Sequence, residues 1–170
     1  MVKEERFNDR VIRSMEFTGD ILITDPSYVI KDDTDDWKRC TYGDTMAVLG
    51  IEHCIVNRTF YGDWACTVWK AATYEECTSA NVIGEFCADT GLVAVMDWNE
   101  CLQYNPEMEL WVRSHDWCAT VIKDFHGTVE MRAFDIKGTF EDGESYTDTV
   151  LELFGVSEGK VVFIAAQTGL

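Results

Sequence analysis

Three aspartates stand in short segments whose neighbours are glycine, proline or aromatic residues: Asp25 in Thr24-Asp25-Pro26-Ser27-Tyr28, Asp63 in Tyr61-Gly62-Asp63-Trp64, and Asp89 in Glu85-Phe86-Cys87-Ala88-Asp89-Thr90-Gly91. Carboxylates gathered at strand ends can hold a divalent cation or serve as acid and base, and a two-metal nuclease needs several that converge. Asp25, Asp63 and Asp89 are therefore the catalytic candidates for a metal-assisted nuclease or phosphodiesterase. A divalent metal is the one cofactor that chemistry would call for; no other is expected. The same residues also read as turn chemistry. Asp25 before Pro26 fits the first two positions of a type I turn, where the carboxylate accepts backbone N–H groups. Gly62-Asp63 and Asp89-Thr90-Gly91 fit turns between strands.

A second group is the run Asp32, Asp33, Asp35 and Asp36. At a helix start such residues complement the positive end of the helix dipole; on a surface they can imitate phosphates and bind a partner. Tyr28, Tyr61 and Trp64 each adjoin an Asp/Gly/Pro turn, so they are the aromatics expected to be exposed, free to anchor a partner or to stack on a nucleotide base in a sequestering module. His53, His115 and His126 have no metal-binding spacing. Gly-x-Gly-x-x-Gly, a phosphate-binding Gly-Lys-Ser/Thr loop and a Gly-x-Ser-x-Gly elbow do not occur, which removes the commonest cofactor and nucleophile signatures.

The chain that must position these groups has 170 residues, 46% of them hydrophobic, with six Trp, nine Phe and six Tyr. That length and composition suit one cooperative domain with a sizeable core. Seven cysteines lack Cys-x-x-Cys spacing and mostly adjoin apolar residues, so they read as buried free thiols in a reducing compartment. No secretory signal pattern opens the sequence and no run is apolar enough for a membrane span, so a cytoplasmic location is expected. Fourteen basic against 31 acidic residues give a net charge of −17. Direct binding to free nucleic acid is thereby disfavoured, because affinity for phosphates comes mainly from Lys and Arg. A protein partner with a basic groove fits the charge instead.

Short apolar runs separated by Gly, Asp and Asn turns predict strands at 21–23, 47–49, 54–56, 66–69, 92–95, 118–125, 128–134, 150–154 and 161–165. Phe125-His126-Gly127-Thr128 is expected to turn a hairpin, with Val129, Met131 and Ala133 on one face of its second strand. Two short helices are expected, one starting near Thr34 and one capped by Asp97 and stopped at Asn105-Pro106. Residues 1–14 read as a charged, loosely ordered lead-in to a single domain. The fold class is α+β, mainly an antiparallel sheet or sandwich.

The segment Phe17-Thr18-Gly19-Asp20-Ile21-Leu22-Ile23-Thr24-Asp25-Pro26-Ser27-Tyr28 carries a resemblance, together with Tyr61-Gly62-Asp63-Trp64-Ala65-Cys66-Thr67, the stretch from Gly84 to Val93, Tyr104-Asn105-Pro106 and the ending Gln167-Thr168-Gly169-Leu170. The chain resembles a family of small, uncharacterised phage and mobile-element proteins of Firmicutes, some of which are similar to anti-CRISPR inhibitors of the type II RNA-guided nuclease. The resemblance implies an anti-defence protein that binds that effector or its ribonucleoprotein complex and interferes with guide or target nucleic acid. It attaches no reaction to the motifs.

Overall fold

The computed structural model describes residues 3–31, 34–40, 45–60 and 64–167. Its centre is an eight-stranded antiparallel sheet: β1 (Lys3–Thr24), β2 (Cys54–Arg58), β3 (Trp64–Trp69), β4 (Val82–Ala88), β5 (Leu92–Asp97), β6 (Ala119–Thr139), β7 (Ser145–Ser157) and β8 (Lys160–Gln167). The order across the sheet is β2-β5-β1-β6-β7-β8-β3-β4. The sheet curls into a half-barrel, and β4 at its far edge comes back to the start of β6, where Cys87 N–H donates to the Cys118 carbonyl at 3.3 Å and Thr120 Oγ1 donates to the Glu85 carbonyl at 2.6 Å. Gly84 permits this closure, because a Cβ there would stand 2.4 Å from the Thr120 methyl carbon.

Curling gives the sheet an inside and an outside, and the strand period of two sorts residues between them. Ile21, Ile23, Val93, Val95, Met131, Leu151, Leu153, Phe163 and Ala165 fill the inside with Phe86 and Phe125. Leu22, Val56, Ala94, Met96 and Ala119 point outward and are covered by helices carrying Val29, Trp98, Cys101 and Met108. Strands covered on both faces read as continuous apolar runs, which is why residues 21–23 and 92–96 lack alternation. Each such side chain contributes about 1.5–3 kcal/mol by leaving water. A third, smaller cluster of Ala71, Phe154 and Ile164 lies under the segment that joins β3 to β4.

The helices are α1 (Pro26–Val29), α2 (Thr34–Arg39), α3 (Trp98–Tyr104) and α4 (Met108–Ser114). Asp97 caps α3 as its sequence predicts, accepting Glu100 N–H at 2.9 Å, and Asn105 ends it. The Asn105 side chain then donates to the Val29 carbonyl at 2.8 Å and ties α1 to the α3–α4 junction. No described helix is long and apolar enough to cross a membrane.

The antiparallel α+β architecture follows the sequence reading; several elements depart from it. Residues 3–14, expected as a loose lead-in, pair with β6 as the first half of β1. Residues 47–49 form a 3₁₀ turn rather than a strand, closed by Gly50 at φ 89°, with Val48 48% exposed. Residues 125–128 do not turn: they lie inside the continuous β6, paired with β1 on one side and, from Thr128, with β7 on the other. Gly127 is needed there for closeness, since a Cβ would stand 2.1 Å from the Val156 carbonyl oxygen. Val129, Met131 and Ala133 do share one buried face.

Candidate functional site

Asp25 and Asp89 both engage the junction of α1 with the β4–β5 turn, Asp25 through Thr90 and Asp89 through Tyr28. Asp25 is fully buried and caps α1: Oδ1 accepts Ser27 N–H at 2.8 Å, Oδ2 accepts Thr90 N–H at 2.7 Å, and the Thr90 hydroxyl lies 2.9 Å from both oxygens. The carboxylate that the sequence offers for acid–base work is therefore filled by local donors. Asp89 accepts from the Tyr28 hydroxyl, which also lies 3.4 Å from Cys87 Sγ. Burial first, then a bond to Cys87, pushes the neighbouring Cys118 thiol up from its ordinary value. Asp63 and Tyr61 lie outside the described residues, and among the described residues no three His, Cys, Asp or Glu side chains are placed to hold a metal ion.

Of the aromatics expected to be exposed, Trp64 is not. It is 3% exposed, packs edge-on against Phe86 with ring centres 6.1 Å apart, and belongs to the inner core. The reason is its place at the start of β3 on the inward face. Tyr28 is half-buried and opens a row that sequence reasoning did not find: Tyr28 to Trp111 at 5.0 Å, Trp111 stacked on His115 at 4.4 Å, and His115 to Trp117 at 5.4 Å. The row depends on α4, which sets Trp111 one turn before His115 at its C-terminal cap.

The acidic run divides. Asp32 and Asp33 lie outside the described residues. Asp35 is exposed in the first turn of α2. Asp36 turns inward and accepts from the Tyr104 hydroxyl at 2.6 Å and from Arg39 at 3.2 Å, so it joins α2 to α3. A larger gathering of carboxylates stands elsewhere. The first half of β1, the second half of β6 and the first half of β7 form a three-stranded ribbon, because the β1–β5 ladder covers only residues 21–24 of β1 and the β7–β8 ladder starts at Leu153. At its end Glu4, Glu5, Glu141, Asp142, Glu144 and Asp148 are all exposed, with Lys137 among them. Phe140, 50% exposed, leans on Tyr146 at 4.7 Å, and Tyr146 donates to Glu4 at 2.6 Å.

On the outer face of the same ribbon, under the β3–β4 segment, is a cleft of about 450 Å³ lined by Glu4, Arg6, Trp69, Tyr74, Phe134 and Glu152 among others. Glu152 is 5% exposed. Its Oε1 accepts from the Tyr74 hydroxyl at 2.8 Å and faces Arg6 Nη2 at 3.3 Å, and Arg6 also donates to the Tyr74 oxygen at 2.9 Å. Burial raises the Glu152 carboxyl above the usual range, opposed by the Tyr74 and Arg6 contacts. Burial and then the bond to Glu152 push the Tyr74 hydroxyl up to about 12. The Arg6 guanidinium lies over Phe134, 3.5 Å from the ring centre. None of these residues stands out in sequence: Arg6, Tyr74 and Glu152 are far apart in the chain, and the only signal is a glutamate inside the apolar run 150–154.

Comparison of the chain with protein-family models, curated proteins and solved structures gives no match.

Proposed function

We propose that this chain is a binding protein that acts by docking its acidic surface on a basic, nucleic-acid-handling partner, and that the partner is the type II RNA-guided nuclease of the host cytoplasm that the sequence resemblance implies. One observation supports the docking: the exposed carboxylates Glu4, Glu5, Glu141, Asp142, Glu144 and Asp148 gather around exposed Phe140 at the end of one ribbon. Charge of one sign on a projecting element steers a basic partner and fixes its register, and an apolar residue at the centre supplies contact area. The effector nuclease suits this chemistry because its guide and target strands run through positively charged channels.

The test uses the full chain with purified effector loaded with guide. Binding and loss of target cleavage are expected for the wild type, with weaker binding as salt rises. The combined variant Glu141→Gln, Asp142→Asn and Glu144→Gln should associate more slowly. An effector that neither binds nor loses cleavage removes this partner. Binding that is indifferent to the triple variant removes the ribbon end as the docking surface.

A further inference from the structure

We propose that the cleft beside Glu152 is a binding site for a small organic cation, an aryl- or alkylamine or an amidine, whose charge meets Glu152 and whose apolar part lies against Trp69 and Tyr74. The cleft shares Glu4 with the acidic docking end, but ligand binding at Glu152 does not depend on docking there. Its volume of about 450 Å³ suits a small molecule. Its polar groups converge on one point: a carboxylate that is 5% exposed, with a tyrosine hydroxyl at 2.8 Å and a guanidinium at 3.3 Å.

The sign of the ligand follows from the balance of charge. Glu4 and Glu152 line the cleft against Arg6, the one cation among its described lining residues, and Arg6 is already held by Asp9 at 3.1 Å, Tyr74 and Glu152. An arriving anion would find that guanidinium taken and would enter the field of a chain carrying −17. A cation gains on both counts. The walls favour it further, because aromatic faces attract cations by their quadrupole. The molecule itself displays the arrangement: its own Arg6 guanidinium lies 3.5 Å from the centre of Phe134, and Arg132 lies 3.9 Å from the centre of Phe154 on the same outer face. Burial holds the Glu152 carboxyl above its ordinary range, a cost that a second cation beside it relieves.

Benzamidine and phenethylamine are the probes, with benzoate as the anion of matching size, titrated into the full-length protein and followed by calorimetry and by nuclear magnetic resonance. Saturable binding of the two cations is expected, with shifts confined to Arg6, Trp69, Tyr74, Ile164 and their neighbours. Glu152→Gln should weaken binding by about tenfold or more, the loss of one charge-assisted contact. Should that variant not fold, Trp69→Leu and the shift map of the wild type decide. Absence of saturable cation binding, equal binding of benzoate, or shifts clustered away from the cleft would overturn the proposal.

Discussion

At the scale of single residues, the carboxylates divide by whether their oxygens are already satisfied. Asp25 has no exposed surface, and both its oxygens accept from Ser27 and Thr90. Asparagine at this position keeps one acceptor but turns an NH₂ toward a buried N–H, so Asp25→Asn should destabilise by about 2–3 kcal/mol. In a chain of this size each kcal/mol lowers the melting temperature by about 2–4 °C, which calorimetry resolves easily. An unchanged melting temperature with a lost activity would instead make Asp25 a chemical residue. The turn role of Asp25 is legible in the sequence because Asp-Pro sets its own local geometry. The Arg6, Tyr74 and Glu152 constellation is not, because each residue is ordinary in its own segment and only the strand register brings the three together.

At the scale of elements, β1 and β6 organise the molecule, pairing along 18 positions from Lys3 with Thr139 to Thr24 with Ala119. The ladder bends at register shifts between Phe7 and Arg10, Val11 and Arg13, and Gly19 and Ile21. Asp20 braces the last of these by accepting Asp124 N–H at 2.9 Å, where Asp124 has φ 52°. Gly127 lies in the same stretch and distinguishes a continuous strand from a hairpin. In a hairpin loop, alanine for glycine would cost little beyond backbone strain. Inside this ladder a Cβ would meet the Val156 carbonyl at 2.1 Å, and two strands would have to part. Gly127→Ala should therefore cost about 1–3 kcal/mol or more, the usual penalty of overpacking, seen as a lower urea midpoint. A change of a few tenths would restore the hairpin reading of residues 125–128. Sequence pattern located the buried strands, because runs such as Ile21-Leu22-Ile23 must be covered wherever they fall. It missed residues 3–14, a half-wet strand rich in charge, and residues 82–88, where exposed Val82 and Ile83 are followed by Gly84 and Glu85, so that pairing partners rather than apolar pattern define them.

At the scale of the whole molecule, the excess of 31 acidic over 14 basic residues opposes folding, because compaction brings like charges together. Seven ion pairs of Arg or Lys with a carboxylate are present among the described residues, most with at least one exposed partner, including Arg113 with Glu109 and Lys123 with Asp20. Such pairs contribute about 0–1 kcal/mol each and weaken in salt. The carboxylates at the ribbon end add repulsion: Glu4, Glu5, Glu141, Asp142, Glu144 and Asp148 outnumber the exposed cations described beside them, Lys137 and Arg6, and Arg6 is already engaged by Asp9 and Glu152. Salt therefore acts in two opposite directions, and the charge balance decides which wins. Screening shortens the reach of surface fields from ~30 Å at 0.01 M to ~8 Å at 0.15 M, removing the many long-range repulsions while the few close pairs lose less. The melting temperature should rise as sodium chloride is raised over that range and then level off, with potassium chloride giving the same curve because the effect is not ion-specific. The variant Glu141→Gln, Asp142→Asn and Glu144→Gln should start from a higher melting temperature at low salt and show a shallower rise. A melting temperature that falls with salt would mean that the local pairs govern stability, and a triple variant with the wild-type slope would place the repulsion elsewhere than at the ribbon end.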